Sequence, residues 1–155
     1  MKKRITLTLA TLLLLPVLVL GCGSNEPATP EVPPLNGGEP AKTLELTDDD
    51  FTAQAHIIKD IELTRPGSLI VSLYANPSTG FSWAESANIT PAGVIEQVSH
   101  EYVTPGTDAV GAGGKDVWVF DSKETGSAAI GFSYSRPWEG GEKDVWTVTL
   151  NVTVK

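Results

Sequence analysis

A chain with one thiol and two imidazoles has few routes to covalent chemistry. Cys22 is the only cysteine, and His56 and His100 are the only histidines, among 155 residues. A thiol or hydroxyl nucleophile needs a base beside it and a third group to orient that base. Neither histidine stands in a nucleophile motif or at a spacing that suggests one, so both read as surface or structural side chains. The same scarcity leaves little material for a protein-built zinc site or an intramolecular disulfide. Asp48-Asp49-Asp50 lacks the alternating ligands, central glycine and bidentate glutamate of a calcium loop. It reads instead as an exposed acidic turn capping a short element. The expectation is no catalytic residue, no metal and no cofactor.

The chemistry that Cys22 can do is set by what surrounds it. Lys2-Lys3-Arg4 begin the chain with positive charge, and Ile5 to Leu20 is nearly all apolar. That stretch is short for a membrane span and has the flanks of a secretory signal. It ends in Val19-Leu20-Gly21-Cys22, which resembles the lipobox of bacterial lipoproteins. There the small residue fits the signal peptidase and the thiol takes a diacylglycerol. Residues 1–22 are therefore expected to be a lipoprotein signal peptide, with Cys22 the lipidation site. Acyl chains bury about 0.8 kcal/mol per CH₂, so more than one gives stable attachment to a membrane. Residues 23–42, rich in Pro, Gly and small polar residues, read as a flexible tether. The expected location is extracytoplasmic, in the cell envelope.

The formal net charge is −8, from 11 basic and 19 acidic residues. The leader holds three of the basic residues, so the remainder carries 8 against 19, or −11. Such a surface repels phosphate backbones, and nucleic acid is not an expected partner.

The elements that must position any site begin near residue 43. Leu69, Val71, Leu73 and Ala75 alternate with Ile70, Ser72 and Tyr74. Ala128, Ile130, Phe132 and Tyr134 alternate with small residues, and Trp146, Val148, Leu150, Val152 and Val154 alternate with Thr147, Thr149, Asn151 and Thr153. This period of two marks strands with one face in a core. Weaker runs lie at 42–47, 60–64, 81–84, 93–104 and 115–121, and no window of useful length shows a helical stripe. Residues 43–155 are expected to form one all-β domain, a sandwich of antiparallel strands. If consecutive strands alternate in direction, the connections at 76–80, 105–114 and 136–143 emerge at one end, where binding surfaces of such sandwiches lie.

Those connections carry Asn76-Pro77-Ser78-Thr79-Gly80 followed by Phe81, then Gly111-Ala112-Gly113-Gly114, then Arg136-Pro137-Trp138. Each alone is ordinary turn or strand-end chemistry. The order NPSTGF, GAGG, RPW resembles the chagasin family of cysteine-protease inhibitors, whose pattern is NPTTG, GxGG, RPW. Ser78 stands where that family has threonine, which keeps the hydroxyl and loses a methyl. The resemblance spans roughly residues 43–155. It implies an immunoglobulin-like β-sandwich that plugs the active-site cleft of papain-like cysteine proteases; a monomer is expected. It also implies protease contacts at Asn76, Pro77, Ser78, Thr79, Gly80, Phe81, Gly111, Gly113, Gly114, Arg136, Pro137 and Trp138.

A wedge for a thiolate–imidazolium site needs a narrow rigid tip. Ser78 and Thr79 are expected to offer hydroxyls and N–H groups there and Pro77 to limit the loop's freedom; the resemblance implies that Asn76 ties the loop to its own scaffold. The glycines of the second loop would let backbone approach the enzyme closely. Trp138 and Arg136 are residue types enriched at binding hot spots. The rival reading is a lipid-anchored immunoglobulin-like adhesion or ligand-binding module, which would leave a papain-like protease untouched.

Overall fold

The computed structural model describes residues 41–107 and 111–155; the expected signal peptide, Cys22 and nearly all of the expected tether lie outside them. The chain runs β1 (Lys42–Leu46), α1 (Asp48–Ala53), β2 (His56–Leu63), β3 (Ser68–Ala75), β4 (Ser82–Trp83) and β5 (Asn88–Thr90). It continues through β6 (Ile95–Val103), β7 (Gly114–Ser122), β8 (Gly126–Ser135) and β9 (Trp146–Val154). One sheet has the order β1-β3-β7-β6 and the other β2-β9-β8-β4, with β5 on the same edge of β8 as β4. The three strands with the cleanest alternation do what it predicts. Leu69, Val71 and Leu73, then Ile130, Phe132 and Tyr134, then Val148, Leu150 and Val152 are buried between the sheets. Trp118 and Phe120 of β7 complete that core, both meeting the Phe132 ring edge-on.

Two features depart from the expected all-antiparallel sandwich. β1 pairs with β3, and β2 with β9, in parallel, so both sheets are mixed. Directions alternate along the chain except that β4 and β5, both antiparallel to β8, run the same way; β1 and β2 lie in different sheets. Each therefore pairs with a strand of its own direction rather than with its sequence neighbour. The region near 85–92, expected as a bare connection, contains β5, whose three residues are too few to show a period.

The turn between β1 and β2 is the acidic run Asp48-Asp49-Asp50, which starts α1. Asp50 closes its N-terminus by accepting from the Thr47 backbone N–H and hydroxyl, both at 2.8 Å. The Thr47 backbone N–H is the main influence holding the Asp50 carboxyl below its ordinary 3.8. Phe51, 2% exposed, stacks on Trp146 at 4.8 Å and tilts against Trp83 at 5.4 Å. The helix thus closes the end of the sandwich at which β3 finishes and β9 begins. β1 runs parallel to β3, so Lys42 lies at the other pole, where its ammonium donates to the Glu62 carbonyl at 3.2 Å.

Candidate functional site

Three connections converge at the pole closed by α1: Asn76–Phe81 after β3, the segment before β7, and Arg136–Val145 after β8. This is the end predicted from strand counting. Within the second connection the structure describes the residues up to Thr107 and from Gly111 onward.

The first loop is a single 3-10 turn over Pro77–Thr79, closed by Thr79 N–H to the Asn76 carbonyl (3.1 Å) and Gly80 N–H to the Pro77 carbonyl (3.0 Å). Asn76 organises it. Its backbone N–H donates to the Tyr134 hydroxyl at 2.9 Å, and its side-chain amide donates to the Gly111 carbonyl at 2.9 Å. Its side-chain oxygen accepts from the Ser78 hydroxyl at 2.6 Å, and its carbonyl from the Thr79 hydroxyl at 2.7 Å. One residue therefore joins the first loop to the core and to the second loop. The expectation for the tip is corrected here: both hydroxyls donate into the loop, and the Thr79 oxygen also accepts from the Phe81 N–H at 3.5 Å, so neither hydroxyl is a free donor at the tip.

The glycines divide by what they do. Gly80 sits at φ 82°, and a Cβ there would lie 2.8 Å from the Trp138 ring, so it is required by conformation and by close approach. Gly111, at φ 83°, has open space around it. Gly113 and Gly114 differ from expectation. A Cβ on Gly113 would run into the Tyr74 ring, and one on Gly114 into the Val103 carbonyl and Tyr102. Their missing side chains serve packing inside the domain rather than leaving backbone free for another molecule.

The third loop folds on itself through Arg136 N–H to the Glu142 carbonyl (2.8 Å) and Gly141 N–H to the Trp138 carbonyl (3.1 Å). The Lys143 ammonium donates to the carbonyls of Arg136 and Trp138. Trp138 is 52% exposed, with its ring lying over Gly80. The Arg136 guanidinium lies 4.5 Å from the Phe81 ring centre and 5.7 Å from that of Trp138. Its Nε is buried without a hydrogen-bond partner among the described residues, so ring faces take the place of an acceptor there. Phe81 itself stacks on Tyr134 at 5.6 Å and is half-buried, so its first role is to seat the loop. Pro137 is exposed beside Trp138.

Sequence reasoning overlooked three contributors. Tyr134 was legible only as a core position, although a hydroxyl at the end of a buried strand signals a polar task. The Trp83 indole N–H donates to the Tyr74 carbonyl at 2.9 Å, fixing the base of the first loop. Lys143 carries no sequence signal for its role. The histidines are structural or superficial, as expected. His100 Nε2 lies 2.6 Å from an Asp116 carboxylate oxygen with its ring against Trp118, and exposed His56 meets the Thr147 hydroxyl at 2.9 Å. Burial is the main influence raising the Asp116 carboxyl above its ordinary range, against the pull of His100.

A family model described as chagasin family peptidase inhibitor I42 matches residues 63–152, more than half the chain. The chain belongs to this family. Two curated relatives agree. Chagasin of Trypanosoma cruzi is 32% identical over 81 residues, spanning 50% of this chain and 74% of its own length. Amoebiasin-1 of Entamoeba histolytica is 33% identical over 85 residues, spanning 55% and 79%. The crystal structure of the cysteine protease inhibitor EhICP2 from Entamoeba histolytica superposes with a TM-score of 0.60 at 20% identity, over 76% of this chain and all of that one. The structure of PbICP-C in complex with falcipain-2 gives 0.56 at 18%, over 74% and all of that chain. These superpositions establish the shared immunoglobulin-like sandwich. Chagasin-family members are peptidase inhibitors rather than enzymes, and this domain has the family's cysteine-protease-inhibitor fold.

Proposed function

We propose that the chain is a reversible inhibitor of papain-like cysteine proteases, acting as a monomer and blocking the active-site cleft with the three loops at one pole. The observation that carries this reading is the linkage through Asn76 and Trp138. The amide of Asn76 bonds the second loop and the ring of Trp138 covers Gly80 of the first, so three chain segments form one pre-shaped surface. Ordering of that kind lowers the entropy lost on binding. PbICP-C was solved in complex with falcipain-2, which supports a protease as the partner of this chain. In the complex, the Ser78–Thr79 tip would lie across the thiolate and imidazolium. With both hydroxyls tied to Asn76, the tip would enter as a rigid unit, and the half-exposed Trp138 would be buried beside the cleft.

The same reading places the protein in the cell envelope, held to a membrane by lipid on Cys22, with the tether ending before Lys42, which the expected bounds gave to the tether but which begins β1. Lys42 lies at the pole opposite the loops, which suits an attachment that leaves the loops facing outward.

The test is an inhibition panel with papain-like, serine, aspartic and metallo-proteases. Tight stoichiometric inhibition confined to papain-like enzymes, with the 76–80 loop uncut after long incubation, is expected. Cleavage between Ser78 and Thr79 at a substrate-like rate, or an untouched papain-like enzyme, would refute the reading. For the anchor, the mature chain is expected in the detergent phase on partitioning, and Cys22→Ser in the aqueous phase or unprocessed. A free Cys22 thiol on exported soluble protein would contradict lipidation.

A further inference from the structure

A column of stacked rings connects α1 to the first and third loops. The Arg136 guanidinium lies 4.5 Å from the Phe81 ring centre, and Phe81 stacks on Tyr134 at 5.6 Å. Tyr134 stacks in turn on Trp146 at 4.8 Å, and Trp146 on Phe51 at 4.8 Å. Trp83 tilts against two members, Phe51 at 5.4 Å and Tyr134 at 4.9 Å. Every member except Phe51 belongs to a loop or holds one. Phe81 follows Gly80, the Tyr134 hydroxyl accepts from the Asn76 N–H, Arg136 opens the third loop, and Trp146 receives that loop's return at the start of β9. Phe51 alone comes from α1, which none of the three loop motifs includes and which precedes the matched residues 63–152.

Six residues are too few to hold a helix in water by themselves. The surroundings fix α1 instead. Asp50 caps its start, the Gln54 side-chain amide donates to the His56 carbonyl at 2.6 Å, and the Thr147 N–H donates to the Ala55 carbonyl at 2.9 Å. Phe51 is thereby pressed onto the last ring of the column from an element that is pinned at both ends. Close-packed interiors transmit displacement, so a gap behind Trp146 would be passed on to Tyr134 and Phe81. We infer that α1 is a brace for the binding pole, with Phe51 a positioning residue that sets the first and third loops through the ring column. The consequence for inhibition rests on the inhibitor reading above, whereas the brace is a property of the free chain. Coupling of this kind is reciprocal, so an enzyme that fixes the loops also steadies α1.

Two measurements on the full chain test it, each comparing Phe51→Leu with Phe120→Leu. Leucine keeps an apolar side chain and removes the stacked ring. Phe120 is as deeply buried as Phe51, but its ring meets Phe132 and no member of the column. The first measurement is amide exchange in the free chain at Thr79, Gly80 and Arg136, whose N–H groups close the two loops. Phe51→Leu should exchange there about three- to tenfold faster, the size of one aromatic pair. Phe120→Leu should lower the unfolding temperature and leave those amides unchanged. The second measurement is inhibition of a papain-like enzyme at equal folded concentration. Phe51→Leu should be weaker by a similar factor, and Phe120→Leu unaltered. Should Phe51→Leu fail to fold, Asp50→Asn decides, because it loosens only the exposed cap of α1 and should still speed exchange at the same loop amides. Unchanged loop exchange in Phe51→Leu, equal changes in Phe120→Leu, or unchanged loop exchange in Asp50→Asn where it decides would overturn the brace. Failure of the unaltered chain to inhibit any papain-like enzyme would instead overturn the inhibitor reading, with the exchange result still deciding whether α1 holds the loops.

Discussion

Replacing Asn76 by alanine asks how much of the inhibitor's performance comes from holding its loops in place. The substitution removes two side-chain hydrogen bonds, from the amide to the Gly111 carbonyl and from the Ser78 hydroxyl to the amide oxygen. The backbone bonds of Asn76 to Tyr134 and Thr79 remain available. A net hydrogen bond is worth about 0.5–1.5 kcal/mol, and exposure of this loop favours the lower half, so the loss is about 1–2 kcal/mol. That energy holds loops rather than strands, so it should appear as local opening with little effect on global unfolding. Inhibition of a papain-like enzyme should weaken by about 5- to 30-fold, since each 1.4 kcal/mol is a factor of ten. Asn76→Asp separates the two bonds. It keeps the acceptor for Ser78 but sets a carboxylate against the Gly111 carbonyl, so it should be no better than alanine. The assays are steady-state inhibition, thermal unfolding and amide exchange around Gly111. The reasoning is refuted if Asn76→Ala inhibits normally, or if the aspartate variant is rescued, because then the bridge between the loops does not matter.

Trp138→Ala should weaken inhibition by one to two powers of ten, from roughly 1.5–3 kcal/mol of aromatic burial, mostly through faster dissociation; a large fall in thermal stability would show Trp138 to be a core residue. Gly113→Ala should lower the unfolding temperature, because its Cβ meets the Tyr74 ring, whereas Gly111→Ala, with open space but φ 83°, should cost about 1 kcal/mol in backbone strain alone; equal unfolding temperatures for the two variants would contradict the division of the glycines. Asp50→Asn should destabilise α1 at neutral pH. The Asp50 carboxyl is held below its ordinary 3.8, so its contribution is complete above that value and lost as pH falls toward the folded-state value. The gap in unfolding temperature between variant and unaltered chain should therefore close in acid, and a gap that persists at pH 2 would speak against the cap.

The sequence showed the strands where burial imposes a period, and failed where it does not. β3, β8 and β9 were legible because alternate residues enter the core over eight or more positions. β5 was not, since three residues cannot display a period, and neither was the parallel pairing of β1 and β2. That pairing depends on which sheet each strand joins, and no residue within a strand records it. The site was legible as three loop motifs because their turn chemistry is local. The inward aim of the Ser78 and Thr79 hydroxyls was hidden, since it is decided by Asn76 accepting both. Gly113 and Gly114 looked free in sequence because the Tyr74 ring and the Val103 carbonyl that crowd them come from other strands.

The parallel ladder between β1 and β3 also sets how the domain responds to tension. A pull applied at residue 41, while the loop pole is held, draws β1 toward one pole as β3 is held toward the other. The five residue pairs from Lys42↔Leu69 to Leu46↔Leu73 then bear the load together along the strand axis. Pulled at right angles to that axis, the same pairs would separate in succession, like a zip. Leu46 at the far end of β1 is buried and Leu44 packs on the core, so sliding the strand would also drag apolar side chains out of it. The ladder is thus set to resist along the line joining residue 41 to the loops, the direction in which a captured enzyme would tug.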